Sequence, residues 1–254
     1  MGIGEAIKKG FGTAQKSMPL VALLFVFGVA FSLANLFLTP KGADPNAAPS
    51  PAIVVLGIVL IFLSIYLQAG SLGFVREFLK TGQATLGQFA SSGGKYYLRI
   101  LVLGIVVSLI IGVFVLLAAL AVAFLKGNVA ALGVMLAIFF GALGIYFVVM
   151  LFLSPYAVVV DEQGVGASLK TSMRLVKKNI LTLLGMSALL ILIGFGIGML
   201  LGVVLAGISF VVKQATVSQV IFALLSSIVN SYLGVVVTAA FMAFYLSLTN
   251  RNNP

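Results

Sequence analysis

The residues SPYAVVVDEQGVGASLKTSMRLVKKNI, Ser154–Ile180, form the longest polar interruption in the apolar second half of the chain. We expect a membrane helix to end near Pro155, because proline lacks the amide donor that a continuing helix requires. The β-branched run Val158 to Val160 favours extended chain, and Asp161 with Glu162 predicts a turn. A basic amphipathic helix then leads into the next span, so the stretch is interpreted as a cytoplasmic connection.

This connection carries two kinds of side chain at helical spacing. The apolar stripe consists of Val165, Leu169, Met173, Val176 and Ile180. The basic residues lying mostly off that stripe are Lys170, Arg174, Lys177 and Lys178, four of the fifteen Lys and Arg in the chain. We expect the stripe to lie on lipid while the cations reach headgroups.

The composition places the chain among membrane proteins. Hydrophobic residues make up 62% and charged residues 8%, with a mean hydropathy of +1.26, against roughly 45–50% and about 25% in globular domains. Several apolar runs reach the roughly 20 residues that a helix needs to cross a bilayer. The segments lack the alternating pattern of a membrane barrel, so they are expected to span as helices.

Six spans are predicted, at about residues 19–38, 52–74, 100–125, 129–153, 180–210 and 220–248. An interfacial amphipathic helix over residues 1–15 precedes the first span. The alternative interpretation of that first span is a signal peptide. Residues 91–94 favour a hinge, and Tyr96 and Tyr97 with the neighbouring cations are typical of an interface anchor. The fold class is therefore an all-α integral membrane protein with six transmembrane helices and three cytoplasmic amphipathic helices.

The basic residues alternate in number from side to side. Twelve Lys and Arg flank the spans on one side and Lys41, Lys126 and Lys213 lie on the other. Because positively charged loops stay in the cytoplasm, this bias predicts cytoplasmic termini and a multi-pass protein of the cell membrane. The bias also explains the net charge of +10 without nucleic acid, for which no basic domain is long enough.

The chain divides into three similar units within one polytopic domain, at about residues 1–79, 80–160 and 161–250. Each unit is an amphipathic helix followed by an antiparallel pair of spans. AIKKGFGTAQKSM and SLKTSMRLVKKNI align without gaps, and the middle unit fits by position. The aligned pairs include Ile7 with Leu169, Lys8 with Lys170, Phe11 with Met173, Lys16 with Lys178 and Ser17 with Asn179. An internal repeat is predicted.

These features, with PYAVVVDEQGVGASLKTSMRLVKKN before the fifth span, resemble a loose group of prokaryotic six-span proteins. The group includes the membrane domain attached to some glycerophosphodiester phosphodiesterases. The resemblance covers nearly the whole chain and implies fold and membrane location only. The catalytic barrel of those enzymes is missing, as are the histidines that its chemistry needs.

Few side chains are available for catalysis or metal binding. The chain has no Cys or His, so zinc, di-iron and haem sites lack a ligand set, and we expect neither a metal nor a cofactor. All five carboxylates fall in or beside predicted loops and interfacial helices, which disfavours a proton-coupled pump. Asp161 and Glu162 could form an acid/base pair, but neighbouring residues point apart, and a solvated turn is the favoured interpretation.

Two groups of intramembrane residues are singled out. Gly194, Gly198 and Gly202 recur every four residues in the fifth span, which predicts a close helix contact or, alternatively, a functional bend. Gln68, Asn230 and Ser231 are the polar side chains expected to be buried in spans, for interhelical hydrogen bonds or for lining a substrate path.

Three functions remain open. The first is a non-enzymatic scaffold or accessory protein that engages anionic lipid headgroups or a partner membrane protein. The second is a carrier or channel for a small or lipidic solute, and a membrane enzyme is least favoured. The scaffold function would depend on nine cations at the cytoplasmic side, although the same cations could do no more than set the topology. These cations are Lys8, Lys9, Lys16, Lys95, Arg99, Lys170, Arg174, Lys177 and Lys178.

Overall fold

The computed structural model describes residues 1–38, 51–125, 127–212 and 214–250, and the regular structure in these ranges is helical throughout. The helices are α1 (Ile3–Lys16), α2 (Met18–Leu38), α3 (Pro51–Thr81), α4 (Leu86–Phe124), α5 (Ala130–Leu151), α6 (Ser154–Val160), α7 (Val165–Val211) and α8 (Ala215–Asn250). A single 3-10 turn, Gly127–Val129, precedes α5.

Within the described ranges, five helical stretches are long and apolar enough to cross a membrane: α3, α4, Ala130–Val160, α7 and α8. A sixth is obtained if α1 and α2, which meet at a bend of 80°, count as one span. The all-helical fold class is thereby confirmed for the described residues, and the five to six long apolar helices are consistent with a multi-pass membrane protein.

The Pro155 region differs from the prediction in its second half. Helix α5 ends at Leu151, close to the expected position, but Val158 to Val160 are helical within α6 rather than extended. Pro155 lies in the first turn of α6, where the missing amide would have no partner in any helix. Proline therefore interrupts α5 and also begins α6, and the β propensity of three valines does not outweigh helix formation in an apolar segment.

The hinge expected at residues 91–94 is also wrong, because these residues are helical within α4. Helix α4 begins with a capping box that the sequence TLGQ contains. The Thr85 amide donates to Gln88 Oε1 at 2.8 Å and the Gln88 amide donates to Thr85 Oγ1 at 3.3 Å. With its start fixed in this way, the helix runs through Gly93 and Gly94 into the span without a break.

The contacts divide the chain into a larger unit, residues 1–95 and 181–254, and a smaller unit, residues 96–180. In the larger unit the centre is the second half of α8, where Val236, Ala240, Phe244 and Tyr245 are all 1% exposed or less. Helices α1, α2 and α3 all contact α8. The apolar core of this unit therefore surrounds one helix.

Small residues allow the closest helix contacts of the larger unit. A Cβ atom on Gly10 of α1 would lie 2.6 Å from the Val236 carbonyl oxygen of α8. Gly28 of α2 faces Ser227 and Ser231 of α8, with a Cβ position 3.4 Å from the Ser227 side chain. Removing a side chain lets two membrane helices approach closely enough for backbone contact.

Helices α3 and α4 meet through small residues on both sides. A Cβ atom on Gly73 of α3 would overlap the side chain of Ser92 of α4. Gly93 leaves room for the ring of Tyr66, whose hydroxyl donates to the Ala90 carbonyl at 3.1 Å. The start of α4 is thus fastened to the end of α3.

In the smaller unit, α4 and α5 are neighbours, as the short connection between them predicts. A Cβ atom on Gly133 would lie 2.8 Å from the Ala121 carbonyl oxygen, and the rings of Phe114 and Phe147 stack with centroids 5.3 Å apart. The third and fourth spans therefore pack side by side along their length.

Candidate functional site

The first half of α7 presents the densest group of cations in the described chain. Lys170, Arg174, Lys177 and Lys178 are all exposed. At about 100° of rotation per residue, they occupy one arc of roughly 100° on the helix. No Asp or Glu occurs between residues 163 and 180, so this arc is uniformly positive.

The opposite side of this segment is buried. Ser168, Ser172 and Val176 are 0% exposed and Leu175 is 2% exposed. Because one side of this segment is fully buried, packing holds the segment in place. The positions of the four cations on its exposed side are therefore fixed.

Ser172 fastens the segment to the break between α5 and α6. The Leu153 amide donates to Ser172 Oγ at 3.1 Å, and Ser172 Oγ donates to the Met150 carbonyl oxygen at 2.7 Å. Because the helix is interrupted here, the Leu153 amide and the Met150 carbonyl lack their usual helical partners. The Ser172 hydroxyl provides a hydrogen-bond partner for both. The sequence interpretation missed this role, although Ser168 and Ser172 recur at helical spacing.

The predicted apolar stripe lies beside this buried side and only partly on it. Val176 is buried, Val165, Leu169 and Ile180 are half-buried, and Met173 is 37% exposed. The stripe and the buried side differ because the segment packs on protein, whereas lipid alone was expected. Leu169 and Met173 remain accessible between the buried side and the basic arc.

The turn before α7 is held from α4. Glu162 has a φ of +54°, its carboxylate accepts a hydrogen bond from the Tyr96 hydroxyl at 3.1 Å, and its carbonyl accepts one from the Arg99 guanidinium at 2.9 Å. Tyr96 is only 2% exposed, so its assignment as an interface anchor is wrong. Its phenol orders a turn that was expected to be merely solvated.

In the larger unit, α1 carries Lys8, Lys9 and Lys16, all exposed. Lys9 Nζ lies 3.7 Å from Glu5 Oε1, and both side chains are more than half exposed, so this ion pair adds little stability. The apolar side of α1, including Ala6, Ile7 and Ala14, is buried. Like the α7 segment, α1 lies on protein rather than on lipid alone.

An open groove of about 370 Å³ lies beside α1 in the larger unit. Its walls include Glu5 and Lys9 of α1, Leu79 of α3, and Ala243 and Leu246 of α8. Both apolar side chains and the Glu5–Lys9 ion pair line the groove. Lys95 at the start of α4 is exposed as well.

The intramembrane polar residues separate into two groups. Ser231 is 7% exposed and faces Gly28, as expected of a buried hydroxyl. Gln68 and Asn230 are exposed, so the expectation that they are buried is wrong. Asn230 precedes Ser231 by one residue, which turns it about 100° away from the contact with α2.

The close helix contact predicted at Gly194, Gly198 and Gly202 is also wrong within the part of the chain that the structure describes. A Cβ atom added at any of the three would meet no heavy atom within 4 Å. The four-residue spacing correctly identifies a smooth helix surface but carries no information about which surface a neighbour covers. The glycines that make close contacts include Gly10 of α1, Gly73 of α3, Gly93 of α4 and Gly133 of α5.

Replacing Gly198 with leucine is therefore expected to leave the melting temperature in detergent nearly unchanged. Exposed substitutions typically alter stability by less than about 0.5 kcal/mol, which corresponds to roughly 2 °C in a protein of this size. Thermal unfolding of the purified variant measures the effect. A fall of several degrees would mean that a second molecule packs on this surface.

Comparison with known proteins gives one match. A family model described as "Domain of unknown function (DUF7847)" matches residues 1–248. No curated protein and no solved structure shows a significant match to the chain. Nothing found links it to the membrane domain of glycerophosphodiester phosphodiesterases.

Proposed function

Because the chain belongs to the DUF7847 family, whose description gives no function, we propose a function from its own residues. The protein is a non-enzymatic, polytopic scaffold or accessory protein of the cell membrane. It engages anionic lipid headgroups, or the acidic surface of a partner subunit, through its basic segments on the cytoplasmic side.

The observation that carries this proposal is the positive arc of α7 backed by a buried side. A cluster of cations that only set topology needs no fixed support, because the positive-inside rule depends on their number and not on their position. Here the Ser172 hydrogen bonds and the buried Leu175 and Val176 fix the arc relative to α5. The Tyr96 and Arg99 hydrogen bonds likewise fix the turn that precedes it.

The bend between α1 and α2 supports an interfacial position for the basic segments. The two helices meet at an angle of 80°. If α2 crosses the bilayer, α1 therefore lies nearly parallel to the membrane surface. Lys8 and Lys16 are exposed on that helix, at the depth where phosphates lie. The count of twelve Lys and Arg to three supports a cytoplasmic position for this surface.

The alternative of a carrier or channel has less support in the residues that it would use. Asn230 and Gln68 are exposed side chains, and Gly198 meets no neighbour that a bend could move against. The groove beside α1 has a volume near the lower end of the range for small-ligand sites, roughly 300–1,000 Å³. Solute flux into vesicles that contain the purified protein would favour the carrier.

The proposal is tested by changing Lys170, Arg174, Lys177 and Lys178 together to glutamine. Each cation near an anionic surface contributes about 1 kcal/mol, so we expect at least a tenfold loss of anionic lipid retained through purification. Lipid extraction and quantification measure the loss, with neutral lipid as the internal reference. An unchanged lipid and protein content would leave these residues as topology signals alone.

A further inference from the structure

Three segments of the chain make the same kind of contact. The first docking segment (residues 6–18) packs on α8, the second (89–101) packs on α3, and the third (168–180) packs on α5. In terms of the predicted repeat, each segment contacts the second span of the preceding repeat. For the first segment, that span is the second span of the last repeat.

The three segments align without gaps as AIKKGFGTAQKSM, FASSGGKYYLRIL and SLKTSMRLVKKNI. The fifth position is Gly10, Gly93 or Ser172, each buried and each at the point of contact. The two glycines admit a carbonyl oxygen or an aromatic ring, and the serine bonds two backbone groups. Equivalent positions thus perform the docking in all three segments.

The twelfth position marks the start of the span in two of the segments. Ser17 has φ −103° and ψ 40° between α1 and α2, and Asn179 has φ −131° and ψ 25° inside α7. Both depart from helical torsions by similar amounts, so both turn the chain from the docking segment into the span. In the second segment this position is Ile100, and α4 continues through it.

The cations also occupy equivalent positions. The eleventh position is Lys16, Arg99 or Lys178, and all three are exposed. The seventh position holds Lys95 in the second segment and Arg174 in the third. The third position holds Lys8 in the first segment and Lys170 in the third. Each segment therefore holds cations at its outer side immediately before a span.

We infer that each docking segment binds one anionic phospholipid by its headgroup, so that one chain holds three at distinct sites. This inference rests on the proposed function and adds the number and position of the sites. Docking fixes each group of cations at one place beside a span, at the level where headgroup phosphates lie. A segment that floated on lipid would attract headgroups without holding any one of them.

The three sites differ in charge and therefore in affinity. The third segment has four cations and no carboxylate, and its exposed Met173 can lie against an acyl chain. The first has three cations, one of them beside Glu5. The second has two, and its Arg99 already donates to the Glu162 carbonyl. We expect the third site to be the tightest and the second the weakest.

Native mass spectrometry of the full chain in a neutral detergent tests this inference with dioleoyl phosphatidylglycerol as the probe. The expected titration shows three bound lipids per chain at low lipid concentration, with the first binding at least tenfold tighter than the third. Dioleoyl phosphatidylcholine at the same concentrations is the control and is expected to show no such steps.

Variants assign the steps to segments. Changing Lys170, Arg174, Lys177 and Lys178 to glutamine should remove the tightest step and leave two, and changing Lys8, Lys9 and Lys16 should remove the intermediate one. Because Arg99 also orders a turn, the second site is tested by Lys95→Gln, with Arg99→Lys as a charge-preserving control. Lipid binding is compared with that of the original protein only for variants whose melting temperature is unchanged.

Several outcomes overturn the inference. If every variant weakens all steps equally, the cations act as a diffuse positive surface, and the proposed function survives without the three sites. If both lipids bind equally, or if an acidic protein copurifies in place of lipid, the lipid assignment fails. A titration with one step, or with many equal steps, contradicts one site per segment.

Discussion

Gly10→Leu is expected to produce a large loss of stability, because the position has no room for a side chain. A Cβ atom there would lie 2.6 Å from the Val236 carbonyl oxygen and 3.0 Å from the Ala240 Cβ atom. Neither the backbone nor an alanine can rotate away, so α1 must move off α8. Overpacking of this kind costs about 1–3 kcal/mol, or roughly 2–10 °C in the melting temperature.

The matched control is Gly12→Leu on the same helix, where an added Cβ atom meets nothing within 4 Å. Both variants exchange the same residue for the same side chain, so effects on helix propensity cancel. Thermal unfolding in detergent should separate them clearly. Equal melting temperatures would show that α1 does not pack on α8 as described.

Gly73→Leu should have a comparable effect at the contact between α3 and α4. The added side chain would occupy the volume of Ser92, and the start of α4 would have to move away from α3. We expect a loss of about 1–3 kcal/mol for this overpacked contact. Gly57→Leu is the control in the same helix, because its position is open.

A smaller exchange identifies the clash. Gly73→Ala adds only the Cβ atom that overlaps Ser92, and removing that side chain with Ser92→Gly should recover most of the lost stability. Such recovery is a coupling between two residues in contact, which a double-mutant cycle measures. If the double variant were as unstable as the sum of the single ones, Ser92 would not be the neighbour of Gly73.

The positions of the spans could be predicted because hydropathy depends only on local composition. Helix α8 (Ala215–Asn250) contains the span expected at residues 220–248. The extra length of α4 could not be foreseen from Gly93 and Gly94. Glycine lowers helix propensity, but Tyr66 packing against Gly93 stabilises the helix there.

The partners of each helix surface were less predictable. Gly10 and Val236 lie in the first and last helices, and no local pattern in the sequence couples them. Gly194, Gly198 and Gly202 form the more regular pattern, yet among the described residues an added Cβ atom at these positions would meet nothing within 4 Å. A spacing rule describes the shape of one surface, whereas a contact depends on two.

The buried serines show where sequence reasoning could have gone further. Ser168 and Ser172 are one turn apart on the side of α7 opposite the cations, and a small polar residue on an otherwise apolar side indicates a hydrogen-bond partner. The break at Pro155 was predicted, and a break leaves backbone groups without partners. Combining these two observations would have suggested that Ser172 satisfies them.

The packing of α1 on α8 has a consequence for biosynthesis. Gly10 of α1 packs against Val236 and Ala240 of α8, so this contact surface does not exist when the ribosome has just completed α1. At about 5–20 residues per second, synthesis of the intervening chain takes roughly ten to forty-five seconds. During that interval the first helix must rest on lipid or on the insertion machinery. Its final position is acquired only after the last span has entered the membrane.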